Sequence, residues 1–330
     1  MSGSTSEYAY DLPAELIASH PVPQRDGARM LVVDRETGAL EHSHFTEFPR
    51  YLREGDLVVL NDTRVLHARI FSNDRKVELL FLRESPEGHC HWICLGKPGK
   101  RLRLGARIEI ASARGEVISI GEDGERTIAF DSKVDLEQHG ELPIPPYMNR
   151  PAEADDEARY QTVFARDPGS VAAPTAGLHF TPELLARIPH AFLTLHVGVG
   201  TFRPVTAERI EDHRMHSEQY VIPQETADRI NAARRVIAVG TTVTRVLESQ
   251  PPGPIRACSG STDIFIRPPH TFRHVHALLT NFHLPKSTLL MLVSAMAGRE
   301  RILEAYRVAV RERYRFFSYG DCMWIAPGNG

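Results

Sequence analysis

Residues 224–249, QETADRINAARRVIAVGTTVTRVLES, decide the fold class. Gln224 to Arg234 reads as a helix, Val236 to Val239 as an unbroken apolar strand, and Thr241 to Ser249 as a second helix. A strand with no polar alternation is covered on both faces, which is the situation of a sheet flanked by helices. The alternation extends outward in both directions. Upstream, Leu57 to Leu60 is a buried strand ending at Asn61 and Asp62, and a helix over Pro182 to Ile188 precedes a strand over Ala191 to Val197. Downstream, Thr262 to Ile266 and Ala277 to Thr280 read as strands, followed by a buried helix and an amphipathic one over Arg299 to Arg313. The expectation is a layered α/β domain with a mainly parallel sheet.

The stretch from Ala68 to Asp131 has a different character. KVELLFL, HWICL, RIEIA, EVISI and RTIAF are short strand-like runs bounded by Pro86-Glu87-Gly88, Lys97-Pro98-Gly99 and Glu122-Asp123-Gly124. Strand after strand with tight turns predicts a small β-barrel or sandwich. A proline-rich exit (Pro143, Pro145, Pro146) follows it. The expected organisation is therefore a discontinuous α/β catalytic domain, residues 1–67 and 149–330, interrupted by a β-barrel domain at 68–148.

The chain of 330 residues is 42% hydrophobic and 25% charged, values of an ordinary globular protein that argue against a disordered one. The N-terminus lacks the apolar core of a signal peptide, and no apolar run reaches the ~18 residues that span a bilayer. Cys90, Cys94, Cys258 and Cys322 are too scattered for a disulfide framework, so a reducing cytoplasm is expected and no membrane partner. Cys90 and Cys94, four apart on one strand, are expected to point into the barrel core. A net charge of −3 excludes indiscriminate polyanion binding. A local patch remains: Lys97, Lys100, Arg101, Arg103 and Arg107 in KPGKRLRLGAR, either a solvated hairpin or a set of phosphate contacts.

Polar segments follow the ends of strands, where α/β domains place ligands. They are Asn61-Asp62-Thr63-Arg64, Ala173 to Phe180 (APTAGLHF), His196 to Pro204 (HVGVGTFRP) and Thr280 to Thr288 (TNFHLPKST). The last leads into LLMLVSAMAG, a helix apolar all round and hence buried, with Ser287 as N-cap and Gly298 after its end. Its N-terminus, with Lys286 beside it, favours an anion. Gly240-Thr241-Thr242, between strand and helix, offers another anion or adenosine-side site. Gly177, Gly198 and Gly200 permit close backbone approach. His213, His216 and Glu218 could supply metal ligands, but the spacing matches no zinc signature and no metal is expected. Nicotinamide, nucleophile-elbow and Walker-type fingerprints are absent.

Taken together, these segments resemble one family: the S-adenosylmethionine:tRNA ribosyltransferase-isomerases of queuosine biosynthesis. The resemblance runs through YDLPAELIASHPVPQRD, GDLVVLNDTRVLHAR, LPIPPYMNR, RYQTVFA, GSVAAPTAGLHFT, TLHVGVGTFRPV, HRMHSEQY, VGTTVTRVLES, TNFHLPKSTLLMLVSAMAG and YRFFSYGDCMWI, in that order. It implies an α/β domain with an inserted β-barrel. The implied reaction moves the ribosyl part of S-adenosylmethionine onto the aminomethyl group of a 7-deazaguanine at the tRNA wobble position. Epoxyqueuosine forms, and adenine and methionine leave. The partners implied are S-adenosylmethionine as co-substrate and the precursor tRNA; no further cofactor and no protein partner are implied, and a monomer is expected.

The resemblance assigns proton transfer to His179, His196 or His283, with Asp62 and Asp321 as alternative bases. Lys286, with the amides of Ser287 and Thr288, would hold the methionine carboxylate. Phe282 and Tyr319 would face the sulfonium. Arg64 and Arg203 would meet phosphate or carboxylate, and Thr175, Gly177, Gly198, Gly200, Thr201, Thr280 and Asn281 complete the substrate set. Lys97, Lys100, Arg101 and Arg103 would contact tRNA phosphates. Departures from the family pattern fall at Pro268-Pro269-His270, His276, Cys322, Trp324 and Ser72-Asn73-Asp74, mostly turns and packing positions. Two other readings compete: an RNA methyltransferase, which would release S-adenosylhomocysteine, and a non-catalytic RNA-binding module built on the barrel.

Overall fold

The computed structural model describes residues 3–121, 124–198, 200 and 207–327. Its strands begin with β1 (Arg29–Asp34), β2 (Leu40–His44), β3 (Asp56–Asn61), β4 (Thr63–Val65), β5 (Arg69–Phe71) and β6 (Glu78–Glu84). Next come β7 (His91–Lys97), β8 (Arg107–Ile110), β9 (Ala113–Ile120), β10 (Arg126–Phe130), β11 (Asp167–Ser170) and β12 (His190–Leu195). The series ends with β13 (Glu218–Ile222), β14 (Arg235–Val239), β15 (Cys258–Thr262), β16 (Ala277–Asn281) and β17 (Cys322–Ala326). Short helices α1 (Leu136–His139), α2 (Ala154–Arg159) and α3 (Pro182–Leu185) precede α4 (Gln224–Ala232), α5 (Thr241–Glu248), α6 (Thr288–Ala297) and α7 (Arg299–Arg311).

A nine-stranded sheet in the order β15-β13-β12-β3-β14-β16-β17-β1-β2 dominates the molecule. Strands β12, β3, β14 and β16 run parallel to one another, and β1 runs parallel to β17. The other four junctions are antiparallel, so the sheet is mixed and not mainly parallel. The longest parallel run, β12-β3-β14-β16, occupies its centre, where strands are buried on both faces. There, successive residues divide between two cores: Leu57, Val59, Val236 and Ala238 join α5, α6 and α7, while Val58, Leu60, Ile237 and Val239 join Phe45, Phe48, Phe180 and Trp324.

A second, antiparallel sheet of six strands has the order β5-β6-β7-β10-β9-β8. It is curled, not closed into a barrel. Among the described residues its edges are joined through Asn73: the Asn73 amide donates to the Glu109 carbonyl at 2.9 Å, and its side chain pairs with the backbone of Ala111 at 2.8 and 3.0 Å. Cys94 is buried in this sheet's core, whereas Cys90 precedes β7 in a left-handed conformation and is not on the strand. The strand expected at 262–266 also lies earlier, at Cys258–Thr262, as an edge strand paired with β13. Ile264, Phe265 and Ile266 instead pack as loop residues against the main core, which explains their apolar character.

Local chemistry fixes the element that flanks the site. Ser287 accepts a hydrogen bond from the Leu290 amide at 3.2 Å and starts α6; Gly298, at φ 90°, ends it and starts α7. No helix among the described residues is long and apolar enough to cross a membrane.

Candidate active site

The four central parallel strands deliver their carboxyl ends to one edge of the sheet. Asn61 and Asp62 end β3, His196 follows β12, Gly240 follows β14, and Asn281 to His283 end β16. Asn61 ties two of these ends together, donating to the Leu195 carbonyl and accepting from the Leu195 amide, both at 2.9 Å.

A cavity of about 860 Å³, including its open mouth, lies at this edge. Its walls are residues 173–176, Val197, Gly240-Thr241-Thr242, residues 280–285, Ser287, Leu289, Phe317 and Ser318. Apolar groups alternate with hydroxyls, and no Asp, Glu, Lys or Arg among the described residues lines it. His283 lies against Thr280, Nε2 to Oγ1 3.1 Å, and its backbone is clamped by Tyr10 and by the Tyr306 hydroxyl. Burial pushes its pKa down to about 3. His179 stands behind the wall, bonded through Nε2 to Asn281 Oδ1 at 3.1 Å, and burial pushes it down to about 4 against the opposing hydrogen bond. Both imidazoles are neutral at neutral pH. Asn281 in turn donates to the carbonyls of Phe317 and Ser318, so His179, Asn281 and the 317–318 turn form one rigid wall.

A wider cleft of about 2060 Å³, including open solvent, adjoins this cavity, and Val197 lines both. Its walls include Arg64, Arg83, Trp92, Lys133, Glu137, Gly169, His196, Gly198, Gly200 and Glu218. His196 Nδ1 contacts Thr63 Oγ1 at 2.9 Å, and Thr63 contacts Ser170 Oγ at 2.7 Å. The imidazole lies flat on Gly169, where an added Cβ would meet ring atoms at 2.6 Å. Burial lowers its pKa, with Asp167 opposing. Gly198 donates its amide to Glu218 at 2.9 Å, and the other Glu218 oxygen is bonded to Arg245, a buried ion pair. Glu218 is thus fully engaged and sits with its neighbours His213 and His216 in no metal-ligating cluster among the described residues.

A family model described as "Queuosine biosynthesis protein" matches residues 5–325. The chain belongs to that family. It is similar to the S-adenosylmethionine:tRNA ribosyltransferase-isomerase of Acetivibrio thermocellus, 49% identical across 97% of this chain and 99% of the relative. The protein of the same name from Natranaerobius thermophilus is 48% identical across 97% and 98%. Among solved structures, the S-adenosylmethionine tRNA ribosyltransferase of Thermotoga maritima covers 97% of this chain and all of its own, at 37% identity and a TM-score of 0.56.

Within this queuosine biosynthesis family member, the expected site residues fall into distinct groups. Thr175, Thr280, Asn281, Phe282, His283 and Ser287 line the cavity; Arg64, His196, Gly198 and Gly200 line the cleft. Others face neither. Asp62 accepts from Arg166 Nη2 and Thr194 Oγ1, both at 2.7 Å, and burial raises its pKa against those contacts. Asp321 accepts the backbone amides of Arg29 and Arg315, each at 2.8 Å, and is likewise raised by burial. Tyr319 donates to Asp156 at 2.7 Å, its ring against Tyr160. Gly177 packs under Phe164 and Thr162. Lys286 is exposed at φ 57°, and neither it nor Thr288 lines the cavity. Lys97, Lys100, Arg101 and Arg103 are exposed and free of ion pairs among the described residues. Thr201 and Arg203 lie outside the described residues.

Pro174 and Gly169, Phe317 and Ser318, and Trp92 lie within segments quoted above but drew no role of their own there, and Arg83 and Lys133 of the cleft lie in none of them. Only the folding of distant strands places them.

Proposed function

We propose that this chain transfers and isomerises the ribosyl moiety of S-adenosylmethionine onto 7-aminomethyl-7-deazaguanine at the tRNA wobble position, giving epoxyqueuosine-tRNA, adenine and methionine. Near-half identity over the whole length with ribosyltransferase-isomerases carries the reading. The cavity and cleft, meeting at Val197, support it: the first is lined by apolar groups and hydroxyls at the strand ends, and the second opens to a larger partner. The relatives' names give no support to methyl transfer.

The chemistry follows from the sulfonium, which acidifies the hydrogens on C5′ and makes methionine a leaving group. Loss of a C5′ proton drives expulsion of adenine from the ribose. As C4′–O4′ breaks, the ring oxygen becomes the carbonyl at C1′ and a vinyl sulfonium is left; the substrate amine adds to it at C4′ and loses a proton, the ylide carbon C5′ closes onto C1′, and the oxygen now on C1′ displaces methionine from C5′ to form the epoxide. A base with a pKa near 3 captures protons poorly, so His283 acts here as a neutral hydrogen-bonding group. His196, exposed to the cleft and held by Thr63, is the proton acceptor.

In the same reading, residues 68–148 form an inserted β-domain within a layered α/β domain comprising 1–67 and 149–330. Its basic stretch at Lys97, Lys100, Arg101 and Arg103 meets tRNA phosphates. The protein acts as a cytoplasmic monomer with no cofactor beyond the donor.

Incubation with S-adenosylmethionine and precursor tRNA tests the function. Equal yields of adenine and methionine, together with modified tRNA, are expected; S-adenosylhomocysteine instead would establish methyl transfer and refute the proposal.

A further inference from the structure

The donor cavity raises a question of charge. S-adenosylmethionine carries a carboxylate, yet no lysine or arginine among the described residues lines the cavity, and Lys286 is exposed outside its lining. The positive pole in the wall is the N-terminus of α5. Gly240, at φ 88°, provides no side-chain cap, and the first intrahelical bond runs from the Thr244 amide to the Gly240 carbonyl at 3.3 Å. The amides of Thr241, Thr242 and Val243 precede that bond and are free to meet an anion. A second observation is independent of the helix. Thr242 is only 9% exposed, its Oγ1 has no hydrogen-bond partner, and both Thr242 and Gly240 line the cavity. Such a hydroxyl normally meets a water, an ion or a ligand in the working protein. At the N-terminus of α6, by contrast, the Ser287 side chain already takes the Leu290 amide.

We infer that the open N-terminus of α5, with the Thr242 hydroxyl, seats the carboxylate of the donor's methionine, in place of Lys286 and α6. This rests on the reading of the cavity as the S-adenosylmethionine site. Gly240 allows the close approach: a Cβ there would point toward Thr242 Oγ1 and Ala176, at 3.6 and 3.7 Å.

The test uses unreactive probes in the presence of precursor tRNA: S-adenosylhomocysteine and its decarboxylated form. Thr242→Val should weaken binding of the first by about tenfold and leave the second within about twofold, while Thr242→Ser restores the first. The KM for S-adenosylmethionine should rise by the same factor in Thr242→Val with kcat little changed. Equal weakening of both probes, or no weakening of either, would overturn the assignment. Wild-type protein that binds neither probe would refute the donor-cavity reading itself, a separate outcome.

Discussion

The division of labour between the histidines is a matter of single contacts. His196 depends on Gly169, because no larger residue fits beneath its ring. Gly169→Ala should displace the imidazole and lower kcat/KM by about tenfold or more, with melting temperature little changed. His196→Gln should lower kcat by about 10²-fold or more, whereas His283→Gln should mainly raise KM. Steady-state kinetics with precursor tRNA separates the two. Asp321 behaves differently: Asp321→Ala strands the amides of Arg29 and Arg315 and should cost about 2–4 kcal/mol of stability, read by urea unfolding, with turnover per folded molecule nearly unchanged. A tenfold fall in that turnover would restore Asp321 as a base. The sequence made Asn281, Phe282 and His283 legible because they sit in one polar run before a buried helix. It concealed the role of Asp321, whose adjoining Gly320 and aromatics resemble a catalytic loop. The partner amide of Arg29 lies 292 residues away.

At the level of elements, α5 joins the two spaces. Its N-terminus lines the cavity, and Arg245 on its last turn pairs with Glu218, which holds the Gly198 amide in the cleft wall. Both partners are buried, so removing one leaves the other charge uncompensated. Glu218→Gln should therefore destabilise the protein by about 3–5 kcal/mol, while Glu218→Gln combined with Arg245→Met should recover part of that loss. Thermal unfolding of the single and double variants measures this. Helices α4 to α7 and strands β3, β14 and β16 were legible because their apolar periodicity is unbroken. Strand β15 was not, since CSGST is a polar edge whose pairing partner β13 comes from elsewhere in the chain. The antiparallel β16–β17 junction is equally invisible locally, as it is set by how the last strand returns to the sheet.

For the molecule as a whole, pH and salt are the informative variables. His179 and His283, neutral and buried near pKa 4 and 3, bind protons more readily when unfolded. Their contribution to stability is complete above about pH 6.5 and is lost as pH falls toward about 4, at up to about 1.4 kcal/mol per pH unit for each histidine. Asp62 and Asp321, with raised pKa values, act in the opposite sense at lower pH. Urea midpoints at pH 7, 5.5 and 4.5 should decline, and His179→Gln should flatten the slope. The phosphate contacts proposed for the basic stretch predict a salt-sensitive tRNA affinity: replacing Lys100, Arg101 and Arg103 by alanine should lower the salt slope by about 0.7 per lost contact. The α/β alternation and the strand-rich middle were readable from the sequence, but the mixed sheet and the open curl were not. Both depend on strand pairings between distant segments. The central claim is that the donor lies in the cavity and the wobble base reaches it from the cleft across Val197. A crystal structure with S-adenosylhomocysteine and a precursor anticodon stem-loop tests it most directly. The account predicts the nucleoside among Thr175, Asn281 and Ser318, its amino-acid carboxylate at Thr242, and the aminomethyl group entering past His196. A nucleoside bound on the six-stranded sheet, or an anticodon on the opposite edge of the large sheet, would contradict it.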